Sequence, residues 1–339
     1  MRTGKLSQEF LSDLLKSVPL SDPRVHLGPE VGEDAALIDI GDKYLVAKTD
    51  PITFTTKDIG WYAVQVNTND IAVMGATAKW MLATILLPES VEEEAIRNIF
   101  QQMTKACTDL CINLVGGHTE VTGKLDRPLV IATMLGEVDK GSEILTSGAK
   151  SGDSILMTKE IAIEGSSILA HEAEEHLLAS GIDGSLIGLG KNLLTSPGIS
   201  VVPEAKAIAS TGKANAMHAT TEGGIIGGLR ELAACSELSV HIYGDTIPKL
   251  DCTRYFCDAL SLDPLGLLAS GSLLACVPSN DEMMIINLIA NNGIIACKIG
   301  EMTDVSLGNQ ITYGDITTDL PYFDRDELAR YFSESADIQ

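Results

Sequence analysis

The chain has 339 residues and is 45% hydrophobic, enough for two buried cores, so disordered and fibrous classes are excluded. Its 47 acidic against 24 basic residues leave a formal net charge of -23, which repels nucleic-acid phosphates and anionic lipid, so neither nucleic acid nor membrane is expected as a partner. Seven cysteines without a Cys-x-x-Cys pair argue against a disulfide framework and a zinc centre, and the charged start lacks a secretory signal's apolar core, so the expected location is cytoplasmic.

In chain order, Ser7 is the expected N-cap of a first helix carrying Phe10, Leu11, Leu14, Leu15 and Val18 on one face and ending at Pro19. Residues 35–40 and 44–48 read as a hairpin turning at Gly41-Asp42, with Asp34 and Asp50 just outside the paired strands. Asp58 and Gly75 bracket a helix whose one face holds Ala63, Asn67, Asp70 and Met74. The apolar run 81–88 is strand-sized, and Ser90 with Glu93 forms a capping box for the next helix. Strands at 112–115, 128–136 and 154–158 follow, so strand and helix alternate as in an α/β or α+β domain.

The polar, glycine-rich run 140–152 is the expected boundary between domains 1–145 and 146–339. Beyond it, helices are expected around 165–179, 203–211, 222–236 and 281–291, with strands around 213–218, 239–243, 272–277 and in IIACKIG. The tail from Asp324 reads as a surface helix or a frayed end.

Three acids stand out by context: Asp34 in VGEDAA, Asp50 in AKTDP and Asp70 in VNTNDIAVMGA. A carboxylate among apolar and small residues must be hydrogen-bonded, paired or metal-bound, and oxygen ligands of this kind suit Mg²⁺. The alternative is that Asp34 and Asp50 serve turns and Asp70 a local bond. In LVGGHTEVTG an apolar strand is expected to end at Gly116 and Gly117, where a phosphate can approach the backbone. There His118 is a base, a metal ligand or a loop residue. In NAMHATTEGGIIGGLRELA a strand runs through a glycine-rich turn into a helix, an anion cradle or a device for close helix packing. No Lys-Ser/Thr follows those glycines, which argues against a P-loop. Lys48 and Lys159 are candidate phosphate contacts.

Five segments, VGEDAALIDIGDKYLVAKTD, DIGWYAVQVNTNDIAVMGA, LVGGHTEVT, MHATTEGGIIGGLRELA and LSLDPLGLLASGSLLACV, together resemble the aminoimidazole ribonucleotide (AIR) synthetase superfamily in order and separation. The likeness spans nearly the whole chain and is nearest to the hydrogenase-maturation (HypE-like) branch. It implies a two-domain, PurM-like α+β fold and a homodimer pairing through its amino-terminal sheets. ATP would lie in a cleft formed with the carboxy-terminal half. It also implies that Asp34, Asp50 and Asp70 bind Mg²⁺, that Asn67 and the His118-Thr119-Glu120 turn contact nucleotide or substrate, and that Thr221, Glu222 and Gly223 form the second-domain loop, with Lys48, Gly116 and Gly117 the cofactor-binding candidates read from the residues themselves. His118 and Glu120 would serve the acceptor.

The chain departs from that pattern at Ala219, where relatives often carry an aspartate, and in the reduced glycine content of HLGPEVGED. HypE proteins end in a cysteine whereas this chain ends Ala-Asp-Ile-Gln, so nitrile formation on its own terminus is not expected. The leading expectation is therefore a Mg²⁺-dependent, ATP-using enzyme activating an amide-type acceptor carried by a small molecule or a protein. A thiamine-monophosphate-type kinase and a non-catalytic nucleotide-binding maturation scaffold are the alternatives.

Overall fold

The computed structural model describes residues 4–336. Residues 337–339, which carry most of the sequence bearing on the terminal cysteine, lie outside them. The chain packs as two units, one formed by Leu20–Gly28 and Asp34–Glu143, the other by the stretch up to Pro19, Pro29–Glu33 and everything from Ile144.

The first helix, α1 (Gln8–Leu15), belongs to the second unit; Ser7 Oγ accepts the Phe10 N–H at 3.4 Å, as an N-cap should. It stops short of Val18, and none of its residues is buried.

In the first unit, β1 (Val25–Leu27), β2 (Ala36–Asp39) and β3 (Lys43–Ile52) are followed by α2 (Ile59–Val73), β4 (Thr77–Leu87), α3 (Glu93–Asp109), β5 (Asn113–Val121) and β6 (Leu129–Asp139). The six strands form one sheet in the order β1-β2-β3-β6-β4-β5, antiparallel except where β4 meets β5. Helix α2 lies across β3, β6 and β4 with α3 beside it, and every residue from Tyr62 to Val73 is buried. A helix enclosed on all sides needs no polar face, so the buried Asn67 and Asp70 call for local partners.

Several local expectations are corrected here. The hairpin forms, but β3 continues to Ile52, so Asp50 sits inside a strand and not beyond one. Asp58 adopts φ 55° without capping α2; its Oδ1 accepts from Gln102 Nε2 at 3.3 Å. The Ser90 capping box does not form, because α3 starts three residues later with Glu92 at its cap position.

The second unit runs β7 (Asp153–Thr158), α4 (Ile163–Glu172), α5 (Glu174–Ala179), α6 (Gly184–Lys191), α7 (Val202–Ser210), β8 (Ala216–Ala219), α8 (Gly224–Cys235) and β9 (Ser239–Tyr243). It continues with α9 (Asp251–Leu260), β10 (Leu273–Pro278), α10 (Glu282–Asn291), β11 (Ala296–Thr303), β12 (Gln310–Tyr313), β13 (Ile316–Asp319) and α11 (Glu327–Ala336). Its sheet has the order β13-β12-β9-β11-β7-β10-β8, antiparallel except for β12 on β9. Every residue of β7 is buried, as expected of a strand covered on both faces, and α4, α6 and α9 pack on one another. The final helix is no frayed surface piece: Leu328, Ala329 and Tyr331 are buried.

The Pro29–Glu33 stretch is tied into this second unit by the Glu33 carboxylate and the Val31 carbonyl. Glu33 accepts the Thr146 and Ser147 N–H groups, each at 3.0 Å, and the Cys235 thiol donates to the Val31 carbonyl at 3.0 Å. Among the described residues no helix is long and apolar enough to cross a membrane.

Candidate functional site

Alternate residues of a strand point the same way, so Lys48 and Asp50 leave β3 on the face that α2 covers. Residues three apart on a helix share a face, which brings Asn67 and Asp70 down onto them. Lys48 Nζ lies 2.9 Å from Asp70 Oδ2 and 3.5 Å from Asp50 Oδ2. Asn67 Nδ2 donates to the Ala63 carbonyl at 2.9 Å and reaches the Asp50 carbonyl at 3.5 Å. Asp34, itself buried, adds its charge to both Lys48 and Asp70.

Burial pushes the Asp70 carboxyl up from its ordinary range, Lys48 pulls it back, and Asp34 and Asp50 add to the rise. For Lys48 burial works against the charge, but Asp70, Asp50 and Asp34 outweigh it and hold the ammonium above the usual lysine range. The sequence had made Lys48 a phosphate contact; here it is the hub that reconciles three neighbouring acids.

Among the described residues no three His, Cys, Asp or Glu side chains form a set that would hold a metal ion unaided. The expected three-carboxylate magnesium centre is thus a looser cluster around an ammonium. Magnesium needs only one or two carboxylates when waters and phosphates complete its shell. One buried oxygen here, Asn67 Oδ1, has no hydrogen-bond partner, and Asp70 Oδ2 has Lys48 Nζ beside it at 2.9 Å. Such hard acceptors fit a divalent ion held chiefly by Asp50 and Asp70.

His118 and Glu120 do not join this cluster. The backbone does not turn at the glycines, since β5 continues through them to Val121. Gly117 is required for a different reason than phosphate approach: with φ 148°, a Cβ there would stand 1.9 Å from the Ala83 carbonyl oxygen. Strand register places Asp50, Ala132, Ala83 and Gly117 in one row, and Pro51, Ile131, Thr84 and His118 in the next. Adjacent rows face opposite ways, so His118, and Glu120 two residues on, point to the side of the sheet away from Asp50 and α2. They pair with each other at 3.0 Å in solvent. Gly116, Gly117 and Thr119 line a shallow, mostly apolar groove with Phe100, Met103 and His118.

In the second unit, Thr221, Glu222 and Gly223 form the turn between β8 and α8, as expected. The Gly223 N–H is already taken by Asp326 Oδ2 at 2.7 Å, and the Thr221 hydroxyl accepts from Lys5 at 3.3 Å. Beside this turn His218 Nε2 is 3.1 Å from Glu231, and Lys5 is 3.5 Å from the same carboxylate. Burial would raise Glu231, but Lys5 and His218 overcome it and hold the carboxyl down at about 2. Ala219 ends β8 opposite Leu273, 5% exposed.

Glu33, Asp326 and the Lys5–His218–Glu231 group join distant segments, and no motif of the sequence marks them as partners. The only signal Asp326 offers in the sequence is an acid directly before the amphipathic segment 327–336.

Comparison with known proteins matches residues 32–138 to the AIR synthase related protein, N-terminal domain, and residues 150–309 to the corresponding C-terminal domain. The chain is 28% identical over 294 residues to a putative hydrogenase expression/formation protein of Methanocaldococcus jannaschii, covering 84% of each. It is 26% identical over 311 residues to the carbamoyl dehydratase HypE of Rhodobacter capsulatus, covering 88% of this chain and 86% of that one. Its fold is that of a hydrogenase maturation protein HypE solved in complex with ATP, with TM-score 0.72 and 21% identity over 97% of this chain and 98% of that one.

Proposed function

We propose, from the premise that the chain belongs to the AIR synthase-related (PurM-like) family on its HypE-like side, that it is a magnesium-dependent enzyme that uses ATP to activate an amide-type oxygen. The observation that carries this reading is the Lys48–Asp50–Asp70 cluster with the buried, unpartnered Asn67 Oδ1 beside it. Magnesium bound there would neutralise charge on the phosphates. Asp50 and Asp70 would hold it, Asn67 would orient a ligand oxygen, and Lys48 counters part of the rise that burial imposes on Asp70. A carbamoyl or similar oxygen would receive the terminal phosphoryl group and leave as phosphate, consistent with the name of the HypE relatives. In this reading residues 1–145 bind nucleotide and dimerise, residues 146–339 complete the enzyme, and the protein works in the cytoplasm.

A homodimer through the first unit's sheet is part of the same proposal. Support comes from the side of the sheet away from α2, where Leu82, Leu86, Leu129 and Ile131 are only partly covered, and from edge strand β5, whose Val115 and Val121 are 55% and 57% exposed. An open edge of this kind is a template for pairing.

Titrating ATP with and without magnesium, and assaying phosphate release against carboxamides, thiocarboxamides and thiamine monophosphate, tests the reading. Binding should require magnesium and weaken sharply in Asp70→Asn; equal affinity in that variant would sink it. Diphosphate product from thiamine monophosphate would favour the kinase. ATP binding without turnover on any acceptor, unimproved by Ala219→Asp, would favour the scaffold.

A further inference from the structure

Asp326 is a buried carboxylate, 3% exposed, that the chemistry proposed above does not use. Its oxygens accept three backbone N–H groups: Gly223 at 2.7 Å on Oδ2, and Leu328 at 2.8 Å and Leu268 at 3.3 Å on Oδ1. Among the described residues no lysine, arginine or histidine forms an ion pair with it, and the neighbouring Glu327 is engaged elsewhere, by the Asp263 N–H and Arg330. It is thus a buried carboxyl group held by amides, at the turn where the sequence pointed to a phosphate cradle.

That turn is unusually dependent on its surroundings. Gly223 and Gly224 adopt φ of 85° and 67°, and a Cβ on Gly224 would come within 2.3 Å of the Leu265 carbonyl. The Thr221 carbonyl accepts the Ala269 N–H at 3.1 Å, and the Glu327 N–H reaches the Gly266 carbonyl at 3.1 Å. Asp326 joins all three pieces: the turn, the 265–269 loop and the start of α11.

We propose that Asp326 is a positioning residue for the Thr221–Gly224 turn, an internal carboxyl group that occupies the Gly223 amide and sets the turn in the shape in which Thr221 and Glu222 meet the nucleotide. Gly223 then gives its N–H to the protein and not to a phosphate. The assignment rests on the ATP-using reading, because only that reading gives the turn a ligand.

The test uses the full chain with Asp326→Ala and Asp326→Asn, reading amide hydrogen exchange across residues 221–224, thermal stability and Mg·ATP affinity, each with and without added sodium formate. Formate can refill a vacated carboxylate position, which a merely structural loss would not allow. The expectation for Asp326→Ala is about tenfold faster exchange and about tenfold weaker ATP binding, both partly restored by formate. Asp326→Asn keeps one acceptor and should change both in the same direction but less, which serves if the alanine variant does not fold. Unchanged exchange in these variants, or faster exchange with unaltered ATP affinity, overturns the proposal. Absence of ATP binding by the unaltered chain would instead defeat the functional reading, and exchange with formate rescue would still report whether Asp326 shapes the turn.

Discussion

Lys48 Nζ stands 2.9 Å from Asp70 Oδ2, and the Asp70 side chain is only 3% exposed. Removing one member of such a pair strands the other's charge in a poorly solvated place. Lys48→Met should therefore cost about 3–5 kcal/mol in urea unfolding, whereas Lys48→Met with Asp70→Leu should cost less than the sum of the single changes. Simple additivity would show that the pair is not coupled. Asp50, whose side chain is 37% exposed, offers the contrast: Asp50→Asn should reduce magnesium-dependent ATP binding with little change in unfolding.

His118 and Glu120 lie on the other side of the sheet from that pair. His118→Ala and Glu120→Gln should leave Mg·ATP affinity within about twofold of the original, since exposed changes away from special features are nearly neutral. A larger loss measured by calorimetry would place them at the nucleotide after all.

Gly116 and Gly117 separate two uses of glycine. A methyl on Gly117 meets the Ala83 carbonyl at 1.9 Å, while one on Gly116 finds its nearest neighbour, Leu82 Cδ2, at 3.9 Å. Gly117→Ala should lower stability by about 1–3 kcal/mol or more through loss of β4–β5 pairing, with Gly116→Ala close to neutral. Equal thermal midpoints for the two variants would contradict this account of the strand.

Glu231 supplies an acid-sensitive contribution to stability. Its carboxyl is held at about 2 against a usual 4.5, so its charge stabilises the fold fully above pH 4.5 and the benefit disappears as pH falls towards 2. Glu231→Gln should be less stable than the original at pH 7, by no more than about 3 kcal/mol, and the gap should narrow in acid. A gap independent of pH would mean that Lys5 and His218 do not act through that charge.

Much of the first unit's architecture was legible because it is local. The Asp58–Gly75 bracket and the Gly41-Asp42 turn gave α2 and the β2–β3 hairpin from neighbouring residues alone. The failures have a common origin in contacts between distant segments. Gly117 looked like a turn because nothing near it in sequence announces the Ala83 carbonyl that excludes a side chain. Asp50 looked like a strand terminus because the partner that extends β3, the β6 segment around Ala132, lies far along the chain. Asp326 was unreadable as a partner of Gly223, which precedes it by 103 residues. At the candidate site the acids and Lys48 were recognisable one by one, but the pairing of that ammonium with Asp70 was not.

Because Pro29–Glu33 and the stretch up to Pro19 pack with residues beyond Ile144, neither unit is one uninterrupted piece of polypeptide. A gene fragment opening at residue 146 would encode a product with the Thr146 and Ser147 amides stripped of Glu33, the Val31 acceptor gone from Cys235, and Lys5 missing from Glu231. Separating the halves for expression therefore calls for grafting the early segments back, or for supplying them as a peptide in trans.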